Sequence, residues 1–178
     1  LSLAADTRPY LEYRTAGFAG WHPQDRSMLI TTRFGNVSQL HRVAAPGSAR
    51  RQISFEEEPI YGGSWSPDGS MLLVEKDAGG NEVSQIYALA AGRMSLLTDG
   101  KSRHALGPWS DDGNLVAYGS NMRSGVYNDI YVMDPHDPAS ARLVLSTDSG
   151  GWAAIDFAPN GRDLLVFNYI SVTDSQLH

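Results

Sequence analysis

The chain has 178 residues, 42% of them hydrophobic and 19% charged, with a formal net charge of -6 and no cysteine. The length suffices for one domain with a real core, and the composition is ordinary for a globular protein. An acidic balance argues against non-specific nucleic-acid binding, the lack of cysteine excludes disulfides and thiolate metal sites, and no stretch approaches the roughly 18 apolar residues of a membrane span, so neither a nucleic-acid nor a membrane partner is expected.

Leu1 is followed by no charged segment with an apolar core, so any signal peptide has been removed or never existed, and upstream residues are expected to be missing. The compartment, cytoplasm or periplasm, stays open. The run Tyr10-Leu11-Glu12-Tyr13-Arg14 is predicted as an outer strand within residues 1–15. Four copies of one short pattern follow: Trp21-His22-Pro23-Gln24-Asp25, Trp65-Ser66-Pro67-Asp68-Gly69, Trp109-Ser110-Asp111-Asp112-Gly113 and Phe157-Ala158-Pro159-Asn160-Gly161. Their aromatic residues are 44, 44 and 48 positions apart. A period of that size marks a repeat architecture.

The second unit, 60–103, shows the plan. Ile60 to Ser66 reads as a strand, and Pro67-Asp68-Gly69 as a turn: Pro presets φ, Asp bonds its own backbone, and Gly accepts φ > 0. Met71 to Val74 is a short apolar run bounded by turn residues, as a strand buried on both faces should be. Gln85 to Leu89 and Met94 to Leu97 are the third and fourth strands, separated by turns at Asp77–Asn81 and Gly92. The other units repeat this without gaps near the anchor. Their second strands are Met28–Ile30, Val116–Tyr118 and Leu164–Val166, and their third strands are Gln39–His41, Asp129–Tyr131 and Gln176–His178. Fourth strands are expected at Arg51–Ser54 and Arg142–Leu145. Four short antiparallel strands per 44 residues is a propeller blade.

The predicted fold is therefore an all-β propeller of about four blade-equivalents, each a four-stranded antiparallel sheet, forming part of a seven- or eight-bladed ring. Its units are 16–59, 60–103, 104–148 and an incomplete 149–178. The N-terminal strand could close the last blade, but a piece of a longer propeller is the favoured expectation. Bare end blades would expose apolar faces and invite self-association, for instance two copies forming one ring.

The Trp65-Ser66-Pro67-Asp68-Gly69 turn, with Asp129-Ile130-Tyr131-Val132-Met133-Asp134 in the third unit, resembles the TolB-type propeller repeat. Leu97-Thr98-Asp99-Gly100, then Trp109 to Gly113, then Ala117-Tyr118-Gly119-Ser120-Asn121, is similar to the N-terminal propeller of prolyl-oligopeptidase-family serine peptidases. So is Arg8-Pro9-Tyr10-Leu11-Glu12-Tyr13-Arg14 with Trp21-His22-Pro23 after it. The sequence departs at Gln24-Asp25, at Asp111 in place of Pro and at Phe157 in place of Trp. The resemblance implies a downstream α/β-hydrolase domain with a Ser-Asp-His triad as partner, peptides as substrates, and a propeller that covers the active site and filters by size.

No catalytic, cofactor-binding or metal-binding residue is assigned within the chain, and no cofactor is expected. Gly62-Gly63-Ser64-Trp65-Ser66 lacks the final Gly of a nucleophile elbow. His22, His41, His104, His136 and His178 form no helical pair or ligand cluster. His41 and His178 are read as strand packing and His22 as solvated turn polarity. His104 is weighed as a channel-facing residue and set aside. Glu56-Glu57-Glu58 is read as a solvated loop between blades, and Asp111–Asn114 and Asp134–Asp137 as turns without calcium-loop spacing. Trp21, Trp65, Trp109 and Phe157, with Pro67, Asp68, Gly69, Gly113 and Gly161, are structural repeat anchors, the aromatics filling gaps between blades. The function expected is a gating propeller of a prolyl-oligopeptidase-like peptidase, the alternative a TolB-type protein-binding propeller without activity.

Overall fold

The computed structural model describes residues 2–12 and 14–178. One helix, α1 (Leu3–Leu11), precedes four antiparallel sheets. The first holds β1 (Ala16–Trp21), β2 (Met28–Thr32), β3 (Gln39–Val43) and β4 (Arg50–Gln52). The second holds β5 (Ser64–Trp65), β6 (Leu72–Lys76), β7 (Gln85–Ala90) and β8 (Arg93–Leu96). The third holds β9 (His104–Trp109), β10 (Val116–Ser120), β11 (Asp129–Asp134) and β12 (Asp137–Leu145), and the fourth β13 (Trp152–Phe157), β14 (Leu164–Ser171) and β15 (Asp174–Leu177). Within every sheet the strands lie in chain order, so each is a simple meander: three four-stranded blades and one of three strands. Among the described residues this is an all-β partial propeller with a single helix.

The core is divided between blades. Leu29 and Leu40 of the first sheet pack with Leu72, Val74 and Leu89 of the second and with Ile60 of the segment joining the two. Leu73, Ile86 and Ala88 on the other face of that second sheet pack with Val116, Tyr118, Tyr131 and Met133 of the third. Ala117 and Val132 meet Phe157 of the fourth. Side chains alternate across a strand with period two, so Leu72-Leu73-Val74 supplies both neighbours in turn. That is why the second strands are continuously apolar. In three sheets the first two strands carry a register shift at the same place: Phe18/Gly20, Val116/Tyr118 and Ala154/Asp156. Such bulges add twist to a strand.

Two predicted strands differ. The outer strand expected over Tyr10–Arg14 is helix through Leu11, with Tyr13 outside the described residues. Local bonds favour the helix: the Ser2 hydroxyl accepts from the Ala5 amide at 3.4 Å, the Thr7 hydroxyl donates to the Leu3 carbonyl at 2.9 Å, and Arg8 pairs with Glu12 at 2.8 Å. No residue of α1 is buried. The first strand of the second unit shrinks from Ile60–Ser66 to Ser64–Trp65, while the Ile60 amide bonds the Ser38 carbonyl of the first blade at 2.9 Å.

None of the described residues covers the two ends of the arc. Phe18 and Trp21 are 58% and 60% exposed at one end, and Leu177 is 64% exposed at the other.

Candidate functional site

The repeated turns come first, because they fix how blades meet. The Ser66 hydroxyl donates to Asp68 Oδ1 at 2.6 Å and accepts from the Met71 amide at 3.0 Å, while the Ser70 amide also donates to Asp68. The third unit repeats this with Ser110, Asp112, Asn114 and Leu115 at 2.7 to 3.0 Å. The Ser66 hydroxyl, then the Ser70 amide and hydroxyl, hold the Asp68 carboxyl down at about 2. Asp112 is lowered by the same means, Ser110 first. Its oxygens serve the turn, and Asp134 likewise accepts the His136 amide at 2.8 Å. Among the described residues no group of three or more His, Cys, Asp or Glu could hold a metal.

Turns stack on turns. The His22 ring meets Trp65 edge-on at 4.7 Å, and His22 Nε2 lies 3.2 Å from the Gly69 carbonyl oxygen. The Gln24 and Asp25 amides donate to His22 Nδ1, which leaves Nε2–H as the donor to Gly69. Only 13% of the His22 side chain is exposed. The reading of His22 as solvated turn polarity is therefore corrected: the second blade's turn covers it. One blade on, Pro67 takes the same place against Gly113. Trp65 packs between the first two blades, Trp109 between the second and third, and Phe157 between the third and fourth. Trp21 has no blade before it among the described residues and lies exposed.

A second repeated device escaped the sequence reading. In the first three blades the third strand opens on a buried polar residue, Gln39, Gln85 or Asp129, whereas β15 is exposed throughout. Gln39 Oε1 accepts the Ser54 hydroxyl at 2.7 Å, and its amide donates to the Glu56 carbonyl at 2.9 Å. Gln85 accepts the Thr98 hydroxyl at 2.7 Å and donates to the Ser102 carbonyl at 2.6 Å. Asp129 accepts the Thr147 amide at 2.7 Å and pairs with Arg123 at 2.7 Å. These side chains satisfy the backbone where it leaves one blade for the next. The only signal in the sequence is the column itself.

Lys76, paired with Gln85 across β6 and β7, gathers charge at that same end. Lys76 Nζ lies 3.0 Å from Glu56 and 3.1 Å from Glu58, and 5.2 Å from the centre of the Tyr87 ring. The lysine side chain is 8% exposed and both glutamates 26%. The Glu56–Glu58 run is thus no freely solvated loop: two of its carboxylates clamp a buried cation. Burial works against the Lys76 charge, but the bonds to Glu56 and Glu58 outweigh it and push its pKa up, while Lys76 lowers that of Glu58.

His104 is buried against Tyr118, 5.8 Å between rings, with Nε2 2.9 Å from Asp99. Burial alone would raise the Asp99 pKa; the His104 bond and the Lys101 and Ser102 donors bring it well below the usual carboxylate range. Burial also pushes Tyr118 up to about 12, helped by Tyr131 and Asp99. His41 is buried, with Nδ1 3.1 Å from the Gln39 carbonyl, and exposed His178 lies 5.3 Å from Trp152. Ser64 sits in β5 opposite Leu73, in a strand with no elbow.

No family model matches the chain. Among solved structures it is similar to a TolB-designated protein from Agrobacterium tumefaciens, with a TM-score of 0.64 and 21% identity over 92% of this chain and 57% of that one. It is similar to one of two prolyl endopeptidases studied for the role of inter-domain dynamics in catalysis and specificity, at a TM-score of 0.69 and 10% identity over 92% of this chain and 28% of that one. TolB from Acinetobacter baumannii matches at 0.55 and 19%, over 92% and 38%. The chain thus spans less than two thirds of each of these proteins. At such identities the likeness is one of fold: the chain is a partial β-propeller resembling those of TolB and of a prolyl endopeptidase.

Proposed function

We propose that the chain is the non-catalytic, substrate-gating propeller portion of a prolyl-oligopeptidase-like serine peptidase. The observation that supports this is the superposition on a prolyl endopeptidase, at a TM-score of 0.69 over 92% of the chain. In this reading the catalytic groups belong to an α/β-hydrolase domain of the same protein, and the blades restrict which peptides reach it. The stacked turns give the blades the stiffness a size filter needs, since each blade is held only by its neighbours.

A second reading, a TolB-type propeller that binds protein and has no activity, is favoured by the identities of 21% and 19% against 10%. The two differ in one measurable property. The native gene product, captured with an antibody to this chain, is treated with a fluorophosphonate probe for serine hydrolases. Covalent labelling, with cleavage of a short peptide but not of a folded protein, is expected for the gate. An unlabelled product removes the peptidase reading and leaves the binding propeller.

A further inference from the structure

The repeat supplies its own reference for what an inter-blade surface needs. In β3, Arg42 stands directly opposite Arg51 of β4. The same paired positions in the second blade are Ala88 and Ser95, and in the third Val132 and Arg142. Among the described residues only the first blade pairs two arginines at these positions, on the side that meets its neighbour. Like charges directly opposite on adjacent strands are destabilising. Asp25 pairs with Arg42, which also donates to the Ser27 hydroxyl at 2.6 Å. Among the described residues Arg51 has no acidic partner.

Both arginines border an open cleft of about 620 Å³ between the first and second blades. Its remaining wall includes Ile53, Trp65 and Leu89, with exposed Phe55 also lining it. The cleft has room for more than a small inorganic anion, and its lining joins a cationic end to an apolar floor. The chain as a whole carries a net charge of -6, so this local positive end departs from its surroundings.

We propose that this cleft binds a peptide chain end: a free carboxylate bridging Arg51 and Arg42, with the adjoining apolar side chain against Trp65, Ile53 and Leu89. A planar guanidinium pairs with a carboxylate through two parallel N–H donors, which gives direction as well as affinity. The site stands on its own residues and holds whether the propeller gates a peptidase or binds protein.

The test is calorimetric titration of the whole chain with N-acetyl-Phe-Leu bearing a free carboxylate, and with its C-terminal amide. The acid is expected to bind, and the amide to bind roughly tenfold more weakly or worse, the equivalent of about one lost charge-assisted bond. Arg51→Gln is expected to weaken the acid by a similar factor and to leave the amide unchanged. Arg142→Gln, the matching column of the third blade, should change neither. Arg51 is exposed, so its replacement removes no packing; the acid–amide comparison on the unaltered chain needs no variant at all. Equal binding of acid and amide, indifference to Arg51→Gln, or no heat from the acid overturns the proposal. So does Arg51-dependent binding of inorganic phosphate without binding of the peptide, which would make this an anion site of another kind.

Discussion

His22 of the first blade lies on Gly69 of the second, its Nε2 3.2 Å from the glycine carbonyl oxygen. A Cβ at Gly69 would stand 2.5 Å from the imidazole Cε1, and the residue holds φ +73°. The same glycine thus answers to its own turn and to its neighbour. Gly69→Ala should therefore cost more than the roughly 1–2 kcal/mol of a left-handed backbone alone. Gly92→Ala, at φ +75° with nothing within 4 Å, should cost only that. Urea denaturation of both variants checks the difference. Equal losses would place His22 elsewhere.

The aromatic anchors are equivalent in sequence and unequal in burial. Trp65 packs with the cores of two blades, whereas Trp21 is 60% exposed. Trp65→Ala should destabilise by about 3–5 kcal/mol, and Trp21→Ala by about 1 kcal/mol or less. Denaturant midpoints at equal slope distinguish them.

The buried glutamines anchor the crossovers. Gln85→Leu removes the acceptor of the Thr98 hydroxyl and the Gly100 amide and the donor to the Ser102 carbonyl. Leaving such groups buried and unpaired costs about 1–3 kcal/mol each. The loss should appear in thermal unfolding, with hydrogen exchange quickening at Gly100 before it does in β10.

Acid should unfold the propeller. The carboxyls of Asp68, Asp99, Asp112 and Asp129 are lowered in the fold, by hydroxyl and amide donors, by His104 and by Arg123. A lowered carboxyl contributes its full stability above its unfolded value of about 3.9, and that contribution is lost as pH falls through the folded value. The thermal midpoint should therefore hold above about pH 4 and fall from there toward about pH 2. Asp129→Asn, at a side chain with no exposure, should lower the midpoint near neutrality and flatten the acid slope. A midpoint indifferent to pH across that window would contradict these assignments.

The Phe18 and Trp21 rings lie 5.2 Å apart, tilted to each other, on a face that none of the described residues covers. Light scattering of the isolated chain should read a mass near twice 19.4 kDa if the two bare ends close on a second copy. A mass of 19.4 kDa at all concentrations removes that pairing.

Much of the architecture was legible because a blade is a local object. Its strands follow one another, its connections are two to eight residues long, and its period recurs in the aromatic anchors. The Ser66, Asp68 and Gly69 turn could be read from residue types alone, since every bond in it falls within five positions. The Gln39, Gln85 and Asp129 column was visible as a column but not as a device, because its partners Ser54, Glu56, Glu58, Thr98, Ser102 and Thr147 lie 13 to 19 residues away. The strand expected over Tyr10–Arg14 is helix at Tyr10 and Leu11, residues whose types suit either state.

The sequence by itself determined the order of the repeated units in this chain and the chemistry of the Ser66–Gly69 and Ser110–Gly113 turns, since these depend on the recurring anchors, on φ preferences and on a period of two within each strand. Tertiary structure alone decided what each repeated position does. His22 looked like a turn polar residue until the next blade covered it. Glu56 and Glu58 looked solvated until Lys76, 18 residues beyond Glu58, came between them. Arg42 and Arg51 became a facing pair only through the register of β3 on β4. In each case the deciding energy is burial or charge at a contact between blades or strands, and nothing in the spacing of residues along the chain specifies which side chain another strand will bring against it.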